Sequence, residues 1–306
     1  MPVRNCLPSV AAIAWLVATP AFAADMPALP WLSSPSAESS VPPDAFADPD
    51  ASLAMHSGGT SWRGFYIGGQ FSYSDGSADF SKSTQAPISY SLRETTLENE
   101  LSPSNWPVLG TADHSAAGFG GFVGYNVEYF TSYAKIVLGV EANYDQASLS
   151  FIAPNSPISR ITPADSSGDT YLVNITGSGT VSDLDFGTLR ARAGWDFGNF
   201  LPYAFTGLAL GRANVNIAET TSGEQNPPAV GVCSGASTPP CMPFSFSGTA
   251  GKNGEWLYGF TVGAGLDVAL TQNVFLRGEY EYVQFQQVAG TNIDINTVRA
   301  GAGFRF

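Results

Sequence analysis

The side chains of this chain that could do chemistry are few, and most recur at a spacing of two. Arg277, Glu279 and Glu281 alternate with Leu276, Gly278, Tyr280 and Tyr282. Arg190, Arg192 and Asp196 alternate with Leu189, Ala191, Ala193, Trp195 and Phe197. Glu141 and Asn143 oppose Ile136, Leu138, Val140, Ala142 and Tyr144, and Asp267 opposes Trp256, Tyr258, Phe260, Val262 and Leu266. In the last residues Arg299 and Arg305 oppose Val298, Ala300, Ala302, Phe304 and Phe306. A period of two is that of a β-strand, whose successive side chains point to opposite faces. The chemistry this offers is ion pairing. An arginine on a lipid-facing surface costs roughly 2–4 kcal/mol at mid-bilayer. The charged faces are therefore predicted to line one lumen. Glu141, Arg190, Arg192, Asp196, Asp267, Arg277, Glu279, Glu281, Arg299 and Arg305 would pair there as a structural plug, since a buried unpaired charge is expensive. An ion path through the plug is the functional alternative.

Other chemical groups are sparse. The histidines are His56 and His114. Asp113, His114 and Ser115 are consecutive, but neighbours on a strand point to opposite faces, so they cannot form one relay. A catalytic base is thus hard to find, and no catalytic residue, metal site or cofactor is assigned. Cys233 and Cys241 stand in the stretch CSGASTPPC, and an even pair in an exported chain predicts a disulfide. Glu94, Glu98, Glu100, Asp165, Asp169, Glu219 and Glu224 fall between the alternating segments. They read as a solvated surface, or as ligands for divalent cations bridging to anionic lipopolysaccharide.

The elements that must position these groups follow from the rest of the chain. Residues 1–24 read as a secretory signal, with Arg4, an apolar core from Val10 to Val17 and the small-x-small site Ala21-Phe22-Ala23. The core is shorter than the ~20 residues that span a bilayer as a helix. A linker, 25–61, carries six prolines, and the folded part is predicted over 62–306. Eight strands are expected: Gly64–Asp75, Ser115–Tyr129, Ala134–Ala147, Leu184–Gly198, Pro202–Val215, Glu255–Leu270, Val274–Gln287 and Ile293–Phe306. Their connections alternate between short turns and three long loops, 76–114, 148–183 and 216–254.

That is the plan of an all-β, eight-stranded antiparallel transmembrane β-barrel with long extracellular loops and both termini in the periplasm. With 13 basic and 26 acidic residues, loss of Arg4 with the signal leaves 12 − 26 = −14. Such a surface repels nucleic-acid phosphates.

The stretch Ser61-Trp62-Arg63-Gly64-Phe65-Tyr66-Ile67-Gly68-Gly69 resembles the opening of a family of small alphaproteobacterial outer-membrane barrels, the surface antigens and hemin-binding proteins of the OmpA-like superfamily. Gly121 to Asn126, Gly139 to Ala142, Thr188 to Gly194, Pro202 to Ala204, Gly259 to Gly265 and Arg277 to Tyr280 match further along. The resemblance covers Trp62 to Phe306, and the long connections look extended beside it. It implies an outer-membrane location and, at Phe306, the terminal signal read by the barrel-insertion machinery. It implies less about activity. The expected function is a monomeric structural surface protein of the envelope, in contact with outer-membrane lipid and lipopolysaccharide. The alternatives are a narrow pore, or uptake of a host or hemin ligand with His114 or a tyrosine on the iron. An enzyme comes third.

Overall fold

The computed structural model describes residues 60–131, 134–228 and 241–306. The signal segment, the linker through residue 59 with His56, and Cys233 lie outside them. The strands among the described residues are β1 (Gly64–Asp79), β2 (Thr111–Phe130), β3 (Lys135–Ile152), β4 (Ile158–Ile161), β5 (Thr170–Trp195), β6 (Phe200–Asn226), β7 (Met242–Ala269), β8 (Val274–Phe285) and β9 (Asn292–Arg305). Two short helices, α1 (Gln85–Ser91) and α2 (Thr96–Leu101), lie between β1 and β2.

Eight strands close into a ring. β3 pairs with β5, and β9 returns to β1 with Gly68 opposite Gly303 and Asp79 opposite Asn292. Every ladder is antiparallel. Closure pairs each ring strand on both sides, which is what lets a sheet sit in hydrocarbon. The outer face is apolar and exposed: Phe65, Ile67, Phe71 and Tyr73 on β1, Leu138, Val140 and Tyr144 on β3, Tyr258, Phe260 and Val262 on β7. So large an apolar surface suits lipid and not water. No described helix is long and apolar enough to cross a membrane.

The strands run longer than the alternation of their charged parts predicts. β5 starts at Thr170 and not at Leu184, β6 continues to Asn226, and β7 starts at Met242 and not at Glu255. Much of the predicted loops 148–183 and 216–254 is therefore ladder, Thr170 pairing with Asn226 and Gln225 with Met242. Where β3 ends, with Ile152 opposite Thr180, β4 takes up the edge of β5, with Ile158 opposite Ile175. The result is a four-stranded ribbon standing above one end of the ring.

The first long connection folds onto the ribbon's inner face. Ile88, Leu92, Leu97 and Val108 bury against Tyr171, Val173 and Ile175. α2 is capped by Thr95, whose hydroxyl accepts from the Glu98 amide at 3.2 Å. The first connection and the ribbon together make a cap on this end of the ring, with an apolar core of its own.

Candidate functional site

The inward residues of the ring fill it in three tiers. At the short-turn end Trp62, Tyr66, Phe122, Val137, Leu201 and Phe275 form an aromatic floor. Gly124 makes room for it, since a Cβ there would strike the Tyr66 ring. At the other end Phe80, Leu149, Phe151, Leu184, Phe186, Val215, Phe285 and Ile295 form an apolar tier. Between them lies a layer of charge.

Glu141 is the hub of that layer. It is paired with Arg190, it accepts from Arg277 at 2.8 Å and Arg192 at 3.3 Å, and the Tyr66 hydroxyl donates to it at 2.6 Å. Asp267 binds Arg192 at 2.7 Å and Arg277 at 2.8 Å. Glu279 takes Arg190 at 2.6 Å, Arg299 at 3.2 Å and the Tyr203 hydroxyl at 2.8 Å. Glu281 is paired with Arg299 and accepts from Thr261 at 2.6 Å. Asp145 completes the set, binding Arg299 at 2.6 Å and Gln70 at 2.9 Å. Four arginines thus meet five carboxylates.

The guanidinium faces are covered as well. Arg190 lies 4.1 Å from the Phe205 ring centre, Arg192 3.8 Å from Tyr203 and Arg277 4.0 Å from Phe122. Each charge has opposite charges and hydrogen bonds around it, which is the condition for keeping ions in a dry interior.

Two residues assigned to the network by alternation stand elsewhere. Asp196 lies where β5 leaves the ring, binding Lys135 at 2.7 Å and accepting from the Gly198 amide at 2.7 Å. Its strand has ended at Trp195, so the alternation no longer sets its direction. Arg305 points inward but below the charge layer. It donates to the carbonyls of Ser61 at 2.7 Å and Gln272 at 3.0 Å, and stacks 4.2 Å over Trp62. Conversely, Asp145 went unassigned although it is in phase with Glu141 and Asn143 on β3. Tyr66 and Gln70 on β1, Tyr203 on β6 and Thr261 on β7 also bond into the layer, and being uncharged they carry no sign in the sequence that sets them on the lumen face.

The remaining candidates are scattered. Ser115 donates to Asp75 at 2.7 Å, and the His114 ring meets Phe151 edge-on at 6.3 Å between centres, so Asp113, His114 and Ser115 do not converge. Cys241 is disulfide-bonded. Phe306 is exposed, and its amide donates to the Phe65 carbonyl at 3.0 Å, fastening the chain end to β1. The acids outside the ring serve the cap. Glu100 accepts from the Ser166 amide at 2.7 Å and hydroxyl at 2.6 Å. Asp165 accepts from Tyr171 at 2.9 Å; hydrogen bonds from Tyr171 and the amides of Asp169, Ser167 and Gly168 outweigh desolvation and lower its pKa. Glu219 is buried and accepts from Ser91 of α1 at 2.9 Å and from Thr221 at 2.9 Å. No group of three metal-ligating side chains occurs among the described residues.

Comparison with known proteins agrees with this architecture. Residues 50–306 match the outer membrane protein beta-barrel domain. A 22 kDa outer membrane protein of Rhizobium leguminosarum bv. viciae is 25% identical over 257 residues, 80% of this chain and 79% of the relative. A 31 kDa outer-membrane immunogenic protein of Brucella melitensis is 26% identical over 313 residues, 97% of this chain and 98% of the relative. Among solved structures, Ail, the attachment invasion locus protein of Yersinia pestis, is 13% identical with a TM-score of 0.32, covering 80% of this chain and 99% of that one. Neisserial surface protein A is 16% identical with a TM-score of 0.32, covering 79% and 97%. The family match spans the whole ring, and relatives and fold together put the protein in the bacterial outer membrane. The chain belongs to the outer membrane protein beta-barrel domain family.

Proposed function

We propose that this protein is a closed structural barrel that braces the outer membrane and carries a folded cap on the cell surface, with both termini in the periplasm. The observation that supports it most is the lumen, filled through its height by aromatic, charged and apolar tiers. An eight-stranded ring has an interior only wide enough for its own side chains, and here those side chains hold one another. Among the described residues the charged groups of the lumen are engaged with one another, which supports a structural reading.

The long connections, all at one end, belong outside, since barrels of this kind keep short turns in the periplasm and long loops on the surface. Several relatives are named outer-membrane immunogenic proteins, a name that suits an exposed cap. Phe306, whose side chain is exposed after β9, suits recognition by the barrel-insertion machinery. Planar-bilayer recording of the purified, refolded protein tests the central point. The expected trace at neutral pH has no steady nanosiemens-scale conductance, and a stable large open channel in the wild type would overturn the reading.

A further inference from the structure

The outward face of β5, β6 and β7 changes chemistry in steps along its length. On β6 the outward residues are Leu208, Leu210, Arg212, Asn214, Asn216, Ala218 and Thr220. Their neighbours follow the same order. Leu189 of β5 and Phe260 of β7 flank Leu208, and Tyr258 flanks Leu210. Asp185 and Trp256 flank Arg212. Thr180 and Gly251 flank Asn216, and Ser178 and Thr249 flank Ala218. An apolar tier is thus followed by a charged tier, and that by a tier of hydroxyls and amides.

The charged tier falls where the membrane surface must be. Arg212 is twelve residues along β6 from Phe200, which marks the aromatic rim at the short-turn end. At about 3.3 Å per residue and a tilt of about 40°, the two lie roughly 30 Å apart along the membrane normal, a few ångströms more than the ~25 Å apolar band of such barrels, which puts Arg212 at headgroup level.

This tier is built and not merely polar. Both ladders break their register here, between Ser182 and Asp185 on one side of β6 and between Ala213 and Val215 on the other. The bulges open a crevice of about 250 Å³ lined by Asp183, Asp185, Arg212, Ala213, Asn214 and Gly254. Asp183 has φ of 55° and accepts from Asn214 at 3.0 Å, while Asn214 accepts from the Gly254 amide at 2.8 Å. Gly254, with φ of 64°, lets the Arg212 guanidinium lie against the backbone where a Cβ would collide with it. Among the described residues Arg212 has no ion-pair partner, and one buried oxygen of Asp185, its cross-strand neighbour, has no hydrogen bond. Directly above lies a second crevice, about 410 Å³, lined by Ser178, Thr180, Asn216, Thr249 and Asn253 among others.

We propose that this face binds one molecule of a phosphorylated, acylated glycolipid of the outer leaflet, a lipopolysaccharide, with Arg212 on a lipid phosphate. Acyl chains lie on Leu208, Leu210 and Phe260. The guanidinium, a fork of fixed donors, matches phosphate oxygens. The amide-and-hydroxyl crevice above receives the sugars. The proposal rests on the cap standing outside. A cap in the periplasm would face phospholipid, so surface labelling of the cap in intact cells separates failure of that reading from failure of this one.

The test is native mass spectrometry of the refolded barrel with diphosphoryl lipid A, in buffer containing magnesium. The expected result is one bound lipid, weakened on the order of tenfold or more by Arg212→Gln, since a charged phosphate contact is lost. Arg93→Gln, which removes a cation from the cap, is expected to change nothing. Lipid A stripped of its phosphates is expected to bind the wild type and Arg212→Gln equally weakly. Unchanged heat-dependent gel mobility shows that the variant is folded. Equal losses in the two variants, or equal binding of the stripped lipid and the diphosphoryl form, would overturn the site. Displacement of the lipid by inorganic phosphate alone at millimolar concentration would make it a free-anion site and overturn the glycolipid.

Discussion

Glu279 shows what one side chain does in the charge layer. It holds Arg190 and Arg299 together and receives the Tyr203 hydroxyl. Glu279→Ala would leave two buried arginines short of a partner, and breaking a buried pair in this way costs about 3–5 kcal/mol. Asp113→Ala, at an exposed acid, is expected to cost less than about 0.5 kcal/mol. Urea unfolding of both in lipid vesicles checks the contrast, and similar small losses would mean the network holds no uncompensated charge. Glu219 gives a prediction in pH. Burial raises its pKa, and bonds from Thr221, Ser91 and the Gly248 amide offset only part of that. The folded cap therefore holds this proton more tightly than the unfolded chain does. Its contribution is complete below the unfolded value of about 4.3 and is lost as pH rises through the raised folded value. Hydrogen exchange of the α1 amides is expected to slow as pH is lowered, after correction for intrinsic rates, and Glu219→Gln to abolish that extra dependence. Identical slopes in the two proteins would remove Glu219 as the source.

At the scale of elements, the cap and the ring have separate cores, so they can be loosened separately. Leu92 is fully buried between the first connection and the ribbon. Leu92→Ala is expected to cost the cap about 2–5 kcal/mol while the ring keeps its detergent resistance. Limited proteolysis would then cut between residues 80 and 110 with the heat-dependent gel shift intact, and loss of both together would show one cooperative unit. The ring strands β3, β5, β7, β8 and β9 were legible in the sequence because charge stands against lipid-facing apolar residues in each of them, and β1, β2 and β6 because small or polar residues alternate with apolar ones. The ribbon was not, for a physical reason. Its outer face meets water, so Thr, Ser, Asn and Gly fill it and it reads as loop. Yet Tyr171, Val173, Ile175 and Val181 keep the period of two on its inner face, and Gly177 and Gly179 sit in phase where the first connection presses close. The short helices carry no such signal, being one or two turns held by contacts from far away in the chain.

For the whole molecule the three tiers make a seal with redundancy. The charge layer was legible from alternation, whereas the apolar tier above it was legible only in part, because Leu149, Phe151 and Val181 lie on the lumen face beyond the segments predicted as strand. Breaking the charge layer alone therefore leaves two closures in place. Glu279→Ala and Glu281→Ala are expected to add at most brief, small openings in bilayer recordings, and a large steady conductance from either would show that the apolar tiers do not seal. Removing Phe306 acts on assembly. The chain end is fastened to Phe65 through the Phe306 amide, and its deletion is expected to lower the yield of folded barrel several-fold without changing the unfolding free energy of what does fold by more than about 1 kcal/mol.

Glu141 and Asp145 meet partners in the charge layer that are far away in the chain. Glu141 and Arg277 are 136 residues apart, and Asp145 and Arg299 are 154 apart. Of the charge layer, the half of the sequence before residue 154 supplies Glu141 and Asp145 and no arginine, while the half after it sets Arg190, Arg192, Arg277 and Arg299 against Asp267, Glu279 and Glu281, so neither half balances its own lumen and a partly zipped sheet carries charge that must stay wet. Insertion then has to pass through an open, water-lined intermediate, with closure and drying as one late event. Contacts so distant also slow the search for them. Followed in time, refolding would show Trp62, at the floor of the lumen, losing contact with water at the same moment as the compact gel form appears.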